Sequence, residues 1–168
     1  MTQGILSKSP GMLLLASLSA IVLLVAGCGD DDSGEISSGG SEISVETSSL
    51  SKAEYIEKAD EICREEEKAL EDLVSSFFRT PQSQADPNAQ AATLVNQVLV
   101  PGYEQLLSRL VSLGAPAGDE KEVSAFLTSL QKAVDEGAEQ PLQFVRRQEP
   151  FVEGVKLSNA YGFEVCLA

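Results

Sequence analysis

Ile56, Cys63, Leu70 and Phe77 recur every seven residues. No other feature restricts the fold of this chain so tightly. A repeat of that period puts apolar side chains on one face of a helix. Tyr55, Ile62 and Ala69 flank the stripe on one side, and Ala59 and Leu73 on the other. Glu54 with Lys58 and Asp60 with Arg64 make acid-first i,i+4 pairs opposite it. Ser51 with Glu54 has the form of a capping box. The spacing therefore predicts a helix over 51–79, about 42 Å long at the helical rise. Cys63 lies on its apolar stripe, so its sulfur is expected to point inward.

Downstream, the same period continues between breaks. Thr80 to Ala85 reads as a loop around Pro81. Asp86-Pro87 supplies a cap and a first-turn proline for a helix over 87–113. Leu94, Val95, Val98 and Leu99 lead in phase into Leu106, Leu107 and Leu110, across Pro101-Gly102. An interior proline disrupts the hydrogen-bond ladder, so a kink near Leu99 is expected. Asp119 is placed to cap a third helix over 119–137, ending at Gly137. A fourth is expected over 141–161, with Pro150 a break point and Gly162 its C-cap. No stretch alternates with period two over a useful length. The expected fold is all-α: a four-helix up-down bundle with a kinked second helix and one disulfide. The fourth helix is expected to lie beside the first and bring the C-terminal tail to Cys63.

Ahead of the helices, Gly11 to Ala26 is a nearly unbroken apolar run of 16 residues. That falls short of the roughly 20 needed to span a bilayer and suits the apolar region of a secretory signal. Val25-Ala26-Gly27-Cys28 closes it. This stretch resembles the lipobox of bacterial lipoproteins, in which small residues admit a peptidase and the cysteine thiol carries a diacylglycerol. The resemblance implies cleavage before Cys28 and lipid attachment to it. The competing reading is a retained N-terminal anchor with an incidental cysteine. The single lysine of the first ten residues departs from the usual basic start. The expected organisation is a signal peptide over 1–27, lipidated Cys28 with a flexible linker over 28–50, and the helical domain over 51–168. The linker is rich in Ser, Gly, Asp and Glu, a composition that buries too little surface to order itself. Asp30 to Gly34 has only a faint likeness to a calcium loop, its glycine at position five and Ser41 at twelve.

Charge and cysteine content narrow the function. The chain has 12 basic and 26 acidic residues, a net charge of −14. Removing the leader takes away only Lys8 and leaves −15. Nucleic acid is not an expected partner, since counterion release needs a basic patch. An acidic domain is also repelled by anionic lipid, so a tether at Cys28 would have to hold it at the membrane. There is no histidine, which removes the commonest general base and transition-metal ligand. With Cys28 taken by lipid, Cys63 and Cys166 remain. An even pair in an exported chain reads as one disulfide, the alternative being two buried free thiols.

Asp60-Glu61-Ile62-Cys63 near the start of the domain and Tyr161-Gly162-Phe163-Glu164-Val165-Cys166 at its end carry a second likeness. Over 51–168 the chain resembles a group of uncharacterised actinobacterial secreted or lipid-anchored helical proteins. Their shared pattern is Ala-Asp-x-Ile-Cys in the first helix and Tyr-Gly-Leu/Phe-x-x-Cys at the C-terminus. The resemblance implies an all-helical fold with that cysteine pair joined, and no activity.

Three groups of side chains are candidate sites. Asp60, Glu61 and Glu65, with Glu66 and Glu67 beside them, form an acidic patch of the oxygen chemistry that hard cations favour. A solvated helix face paired locally with Arg64 and Lys68 is the reading preferred for them. Arg146-Arg147 is the basic pair available to an anion, with local ion pairing preferred. Phe77-Phe78 and Tyr161 with Phe163 are candidate groove walls, with core packing preferred. No cofactor and no catalytic residue is expected. The leading expectation is a non-enzymatic, lipid-anchored helical domain on the extracytoplasmic face of the cell membrane that binds a protein or small partner. The alternative is an extracytoplasmic cation- or solute-binding lipoprotein.

Overall fold

The structure, a computed structural model, describes residues 42–81, 86–147 and 150–167. The expected signal peptide, Cys28 and the expected linker as far as residue 41 lie outside the described residues. Within them the chain is helical apart from one two-residue β-pair. The elements are β1 (Thr47–Ser48), α1 (Lys52–Phe77), α2 (Pro87–Leu94), α3 (Val100–Leu113), β2 (Ala115–Pro116), α4 (Glu120–Glu139), α5 (Pro141–Arg146) and α6 (Val152–Tyr161). A π-helical turn, Val95–Leu99, joins α2 to α3.

Local chemistry sets the helix starts. Ser51 Oγ accepts from the Glu54 N–H, and the Glu54 carboxylate accepts from the Ser51 N–H at 2.9 Å. Both halves of the capping box are thus made. Asp86 accepts from the Asn88 and Ala89 N–H groups ahead of Pro87. Asp119 departs from expectation. It makes no side-chain cap, because its carboxylate accepts the Tyr161 hydroxyl at 2.8 Å. Glu120 takes over at that corner, accepting from the Gly118 N–H at 2.8 Å.

Pro101 neither stops the helix nor leaves its ladder regular. The turn just before it widens, and the Val100 N–H reaches back to the Val95 carbonyl. A five-residue step moves the preceding carbonyls off the proline ring, which a regular α-turn would clash with. The expected kink near Leu99 is realised as this wide turn.

Two helix ends differ from expectation. α4 runs to Glu139, and Gly137 is buried within it. A Cβ there would stand 3.1 Å from the Phe144 ring, so this glycine serves close packing instead of ending the helix. The single helix expected over 141–161 is two helices, α5 and α6. Arg147 already has extended backbone. Pro150 carries no N–H and disfavours helical geometry in the residue before it. The four-helix count fails at this break.

Residues 42–50, expected to be linker, belong to the domain. Ile43, Val45 and Leu50 pack against the core. The Ile43 N–H donates to Thr128 Oγ1 at 2.9 Å, and the Ser124 hydroxyl donates to the Ile43 carbonyl. β1 pairs in parallel with β2. Gly114, at φ 70°, lets this strap approach, since a Cβ there would lie 2.9 Å from the Glu46 carbonyl oxygen. The composition argument fails here because three apolar side chains suffice when a finished corner between α3 and α4 receives them.

Tyr55, Ala59 and Cys63 of α1, Leu107 and Leu110 of α3, and Phe126, Leu127 and Leu130 of α4 form the centre of the core. α3 lies between α1 and α4, and α6 packs chiefly on α4. The expectation that the last helix runs beside the first is therefore corrected. The tail after α6 crosses to α1 instead. Gly162, at φ 107°, ends α6 and starts that crossing. Phe163 enters the core among Tyr55, Phe126 and Tyr161, with ring centroids at 6.0, 5.1 and 5.0 Å. The heptad stripe on α1 is only partly covered. Ile56 and Leu70 are half-buried and Leu73 is 52% exposed. A straight helix at 3.6 residues per turn drifts off a seven-residue repeat, so the stripe is covered unevenly, with Cys63 and Phe77 buried.

Cys63 and Cys166 are joined, with Cα atoms 5.2 Å apart and a sequence separation of 103. The chain-entropy model for a loop near this length gives about 4.7 kcal/mol. Replacing both cysteines by alanine is expected to lower the unfolding free energy by about 3–5 kcal/mol in urea titration. A loss below about 1 kcal/mol would show that the bond restrains little of the unfolded chain.

Candidate functional site

The candidate residues on α1 fall into two structures, divided by which element meets them. Asp60 is turned inward, 6% exposed. Its Oδ2 accepts from the Glu164 N–H at 2.9 Å. Its Oδ1 accepts from the Val165 and Cys166 N–H groups at 2.9 and 3.1 Å. A buried carboxylate needs such donors to offset the loss of water. Three successive backbone N–H groups of the tail supply them. Asp60 is therefore a clasp for the C-terminus, and its oxygens are already engaged.

Glu65 and Glu66 are held from α3. Arg109 Nη1 donates to Glu66 Oε1 and Nη2 to Glu65 Oε2, each at 2.7 Å. Gln105 Nε2 adds hydrogen bonds to both Glu66 oxygens, at 3.2 and 3.1 Å. Glu66 is buried and Glu65 exposed. The two carboxylates, Glu66 first, push the Arg109 guanidinium above its ordinary pKa. Glu61 is exposed, next to the clasp but outside it. Asp60, Glu61 and Glu65 thus do not form one ligand set. Among the described residues no three His, Cys, Asp or Glu side chains converge as a group able to hold a metal ion.

Between these two structures lies a cavity of about 140 Å³. Cys63 and Leu70 of α1, Tyr103 and Leu106 of α3, and Val165 and Leu167 of the tail form its apolar wall. Glu66 and Glu67 supply its polar side, and Gly102 leaves room where a Cβ would meet Leu70 Cδ1 at 2.7 Å. Burial, then the Glu67 charge, raises the Tyr103 pKa, so the phenol stays a neutral donor. The cavity combines an apolar wall, a compensated buried carboxylate and a phenol, chemistry suited to a small, mostly apolar group with one polar end.

The other sequence candidates resolve into packing. Arg146 donates to Asn88 Oδ1 at 3.1 Å and Arg147 pairs with Glu136, so the two guanidinium groups have separate partners. Phe77 is buried while Phe78 is 51% exposed, and their rings meet edge to face. Tyr161 and Phe163 are core. Burial and the Asp119 hydrogen bond push the Tyr161 phenol up, and Lys52 Nζ sits 4.0 Å from its ring centroid. Tyr55, fully buried beside it, has a hydroxyl without a hydrogen-bond partner among the described residues.

Gln105, Arg109 and Tyr103 are the residues that sequence reasoning missed. One signal was available. Glu104 and Arg109 are the only charged residues in Val100–Leu113, and Gln105 and Arg109 share a face by i,i+4 spacing. Cys28 lies outside the described residues. Among those described, no helix is long and apolar enough to cross a membrane. Comparison with protein-family models, curated proteins and solved structures gives no match.

Arg109→Met is expected to destabilise the domain by about 1–2 kcal/mol in urea titration, because buried Glu66 keeps only Gln105. Glu65→Gln, removing the exposed arm of the same fork, is expected to change stability by less than about 0.5 kcal/mol. Equal effects would mean that the buried arm has no special weight.

Proposed function

We propose that this chain is a lipid-anchored, extracytoplasmic helical domain that binds a protein or small partner at the cell envelope without catalysing a reaction. The observation that carries the reading is the buried Cys63–Cys166 bond in a chain whose third cysteine ends an apolar leader. Structural disulfides persist in oxidising compartments. A leader closing on Val25-Ala26-Gly27-Cys28 supplies the route there and the thiol for the lipid. The net charge of −14 fits a domain held near lipid by a tether and not by its own surface. The likeness to the actinobacterial helical group accords with the same reading.

In this reading the domain begins with the strap. It joins the domain from residue 42 onward, so the reading leaves 29–41 as spacer between Cys28 and the fold. The α1, α2–α3, α4 and α5–α6 segments, joined by short connections, suit an up-down arrangement.

A second reading, binding of a small solute, is favoured by the cavity at Cys63, Tyr103 and Glu66. Native mass spectrometry of the chain from residue 29, purified without denaturant, separates the two. A ligand that Gly102→Leu abolishes would favour solute binding, and a bare mass would favour a protein partner. For the anchor, labelled fatty acid is expected to enter the wild-type chain and to be absent from Cys28→Ser, which stays unprocessed. Equal labelling of both would remove Cys28 as the attachment point.

A further inference from the structure

Cys166 is held by its own backbone as well as by its sulfur. Asp60 precedes Cys63 by one helical turn, so both side chains leave α1 on the same face. The Asp60 carboxylate accepts the Cys166 N–H and those of the two residues before it. On the other side, the buried Ser158 hydroxyl donates to the Cys166 carbonyl. None of these contacts requires the sulfur–sulfur bond. Together they hold the Cys166 Cα 5.2 Å from that of Cys63, within the range a disulfide spans. The geometry points to Asp60 as the positioning residue for closure of this bond: the tail docks on its carboxylate first, and oxidation follows in the docked state.

The surroundings of the two sulfurs set the order of the chemistry. Cys166 is fully buried, whereas Cys63 opens on the cavity beside Tyr103, Val165 and Leu167. The oxidant is a small disulfide, RSSR, which the cell or the experiment supplies. The Cys63 thiolate attacks one sulfur of RSSR, the RS–SR bond breaks, and one thiolate leaves. The RS group stays on Cys63 in the cavity. The Cys166 thiolate, already seated, attacks the Cys63 sulfur and expels the second RS⁻. Each cysteine's proton ends on a departing thiolate. Two protein thiols are oxidised to one disulfide, and RSSR is reduced to two RSH. Seating Cys166 beforehand makes the second step intramolecular at high effective concentration. This inference concerns how the bond forms and does not rest on the partner-binding reading.

The test uses the full chain with Cys28→Ser, so that Cys63 and Cys166 are its only thiols, and cystamine as the small disulfide. In Cys166→Ser, cystamine is expected to add to Cys63. In Cys63→Ser, Cys166 is expected to react at least 30-fold more slowly than Cys63 does in Cys166→Ser. Adding Asp60→Asn puts an amide donor among the tail N–H groups and is expected to speed reaction at Cys166 tenfold or more. The ratio of the two rates is the readout, because general loosening of the fold would raise both alike. Equal reactivity of the two cysteines with Asp60 intact, or no change in the ratio with Asp60→Asn, would overturn the proposal. A second measurement stands if Asp60→Asn fails to fold. In Cys63→Ser/Cys166→Ser, the amides of Glu164, Val165 and position 166 are expected to keep at least tenfold protection from hydrogen exchange over the unfolded chain. Exchange of these amides at the unfolded rate would show that the carboxylate does not hold the tail alone, and would sink the idea.

Discussion

A single carboxylate in the first helix organises the end of the chain. Buried Asp60 gathers three consecutive tail N–H groups, and in an interior of low dielectric such charge-assisted bonds are strong. The dependence is mutual. Without the tail, Asp60 is a charge out of water with no partner. Without Asp60, three backbone donors lose their acceptor, that of buried Cys166 among them. Cys63, one turn later, covalently closes the same contact. The fold thus has its first helix and last residues bound together, although α6 itself packs on α4.

The clasp also fixes the aromatic core. Just before tail residues 164–166, Phe163 packs between Tyr55, Phe126 and Tyr161. Tyr161 then presents its hydroxyl to Asp119, which takes that side chain away from capping α4. One tertiary contact at the C-terminus therefore rewrites the local chemistry at a helix start 42 residues earlier. Phe163 is buried and Glu164 exposed, as expected of a tail threaded along a seam.

The acidic surface of α1 is likewise divided by what faces it. Its inner carboxylates, Asp60 and Glu66, are met by tail amides and by Arg109 with Gln105. Glu61 and Glu67 are exposed, Glu67 at the edge of the cavity. The cavity lies where these two sets of contacts leave a gap between α1 and α3, roofed by Val165 and Leu167. Its walls thus depend on the clasp. Any ligand it takes would contact the tail that the disulfide secures.

What the sequence by itself determined was local. The Ser51–Glu54 box and the Asp86-Pro87 start are read correctly because a cap joins residues two or three apart. The helical character follows from the 3.6-residue period, and the Cys63–Cys166 pairing was expected from a count that set Cys28 aside for lipid. The reading preferred for the acidic patch was a solvated helix face, and Glu61, Glu65 and Glu67 are exposed. What only the tertiary structure decided was every case in which a distant group claimed a local one. Asp119 lost its cap to Tyr161, Gly137 served Phe144, and Arg109 crossed from α3 to Glu65 and Glu66. Residues 42–50, polar enough to read as linker, were ordered by a finished corner. Asp60 looked like one more surface acid on a charged helix. A carboxylate's spacing does not reveal that a run of tail amides will arrive 104 residues later, because that meeting is set by how the tail packs on α1.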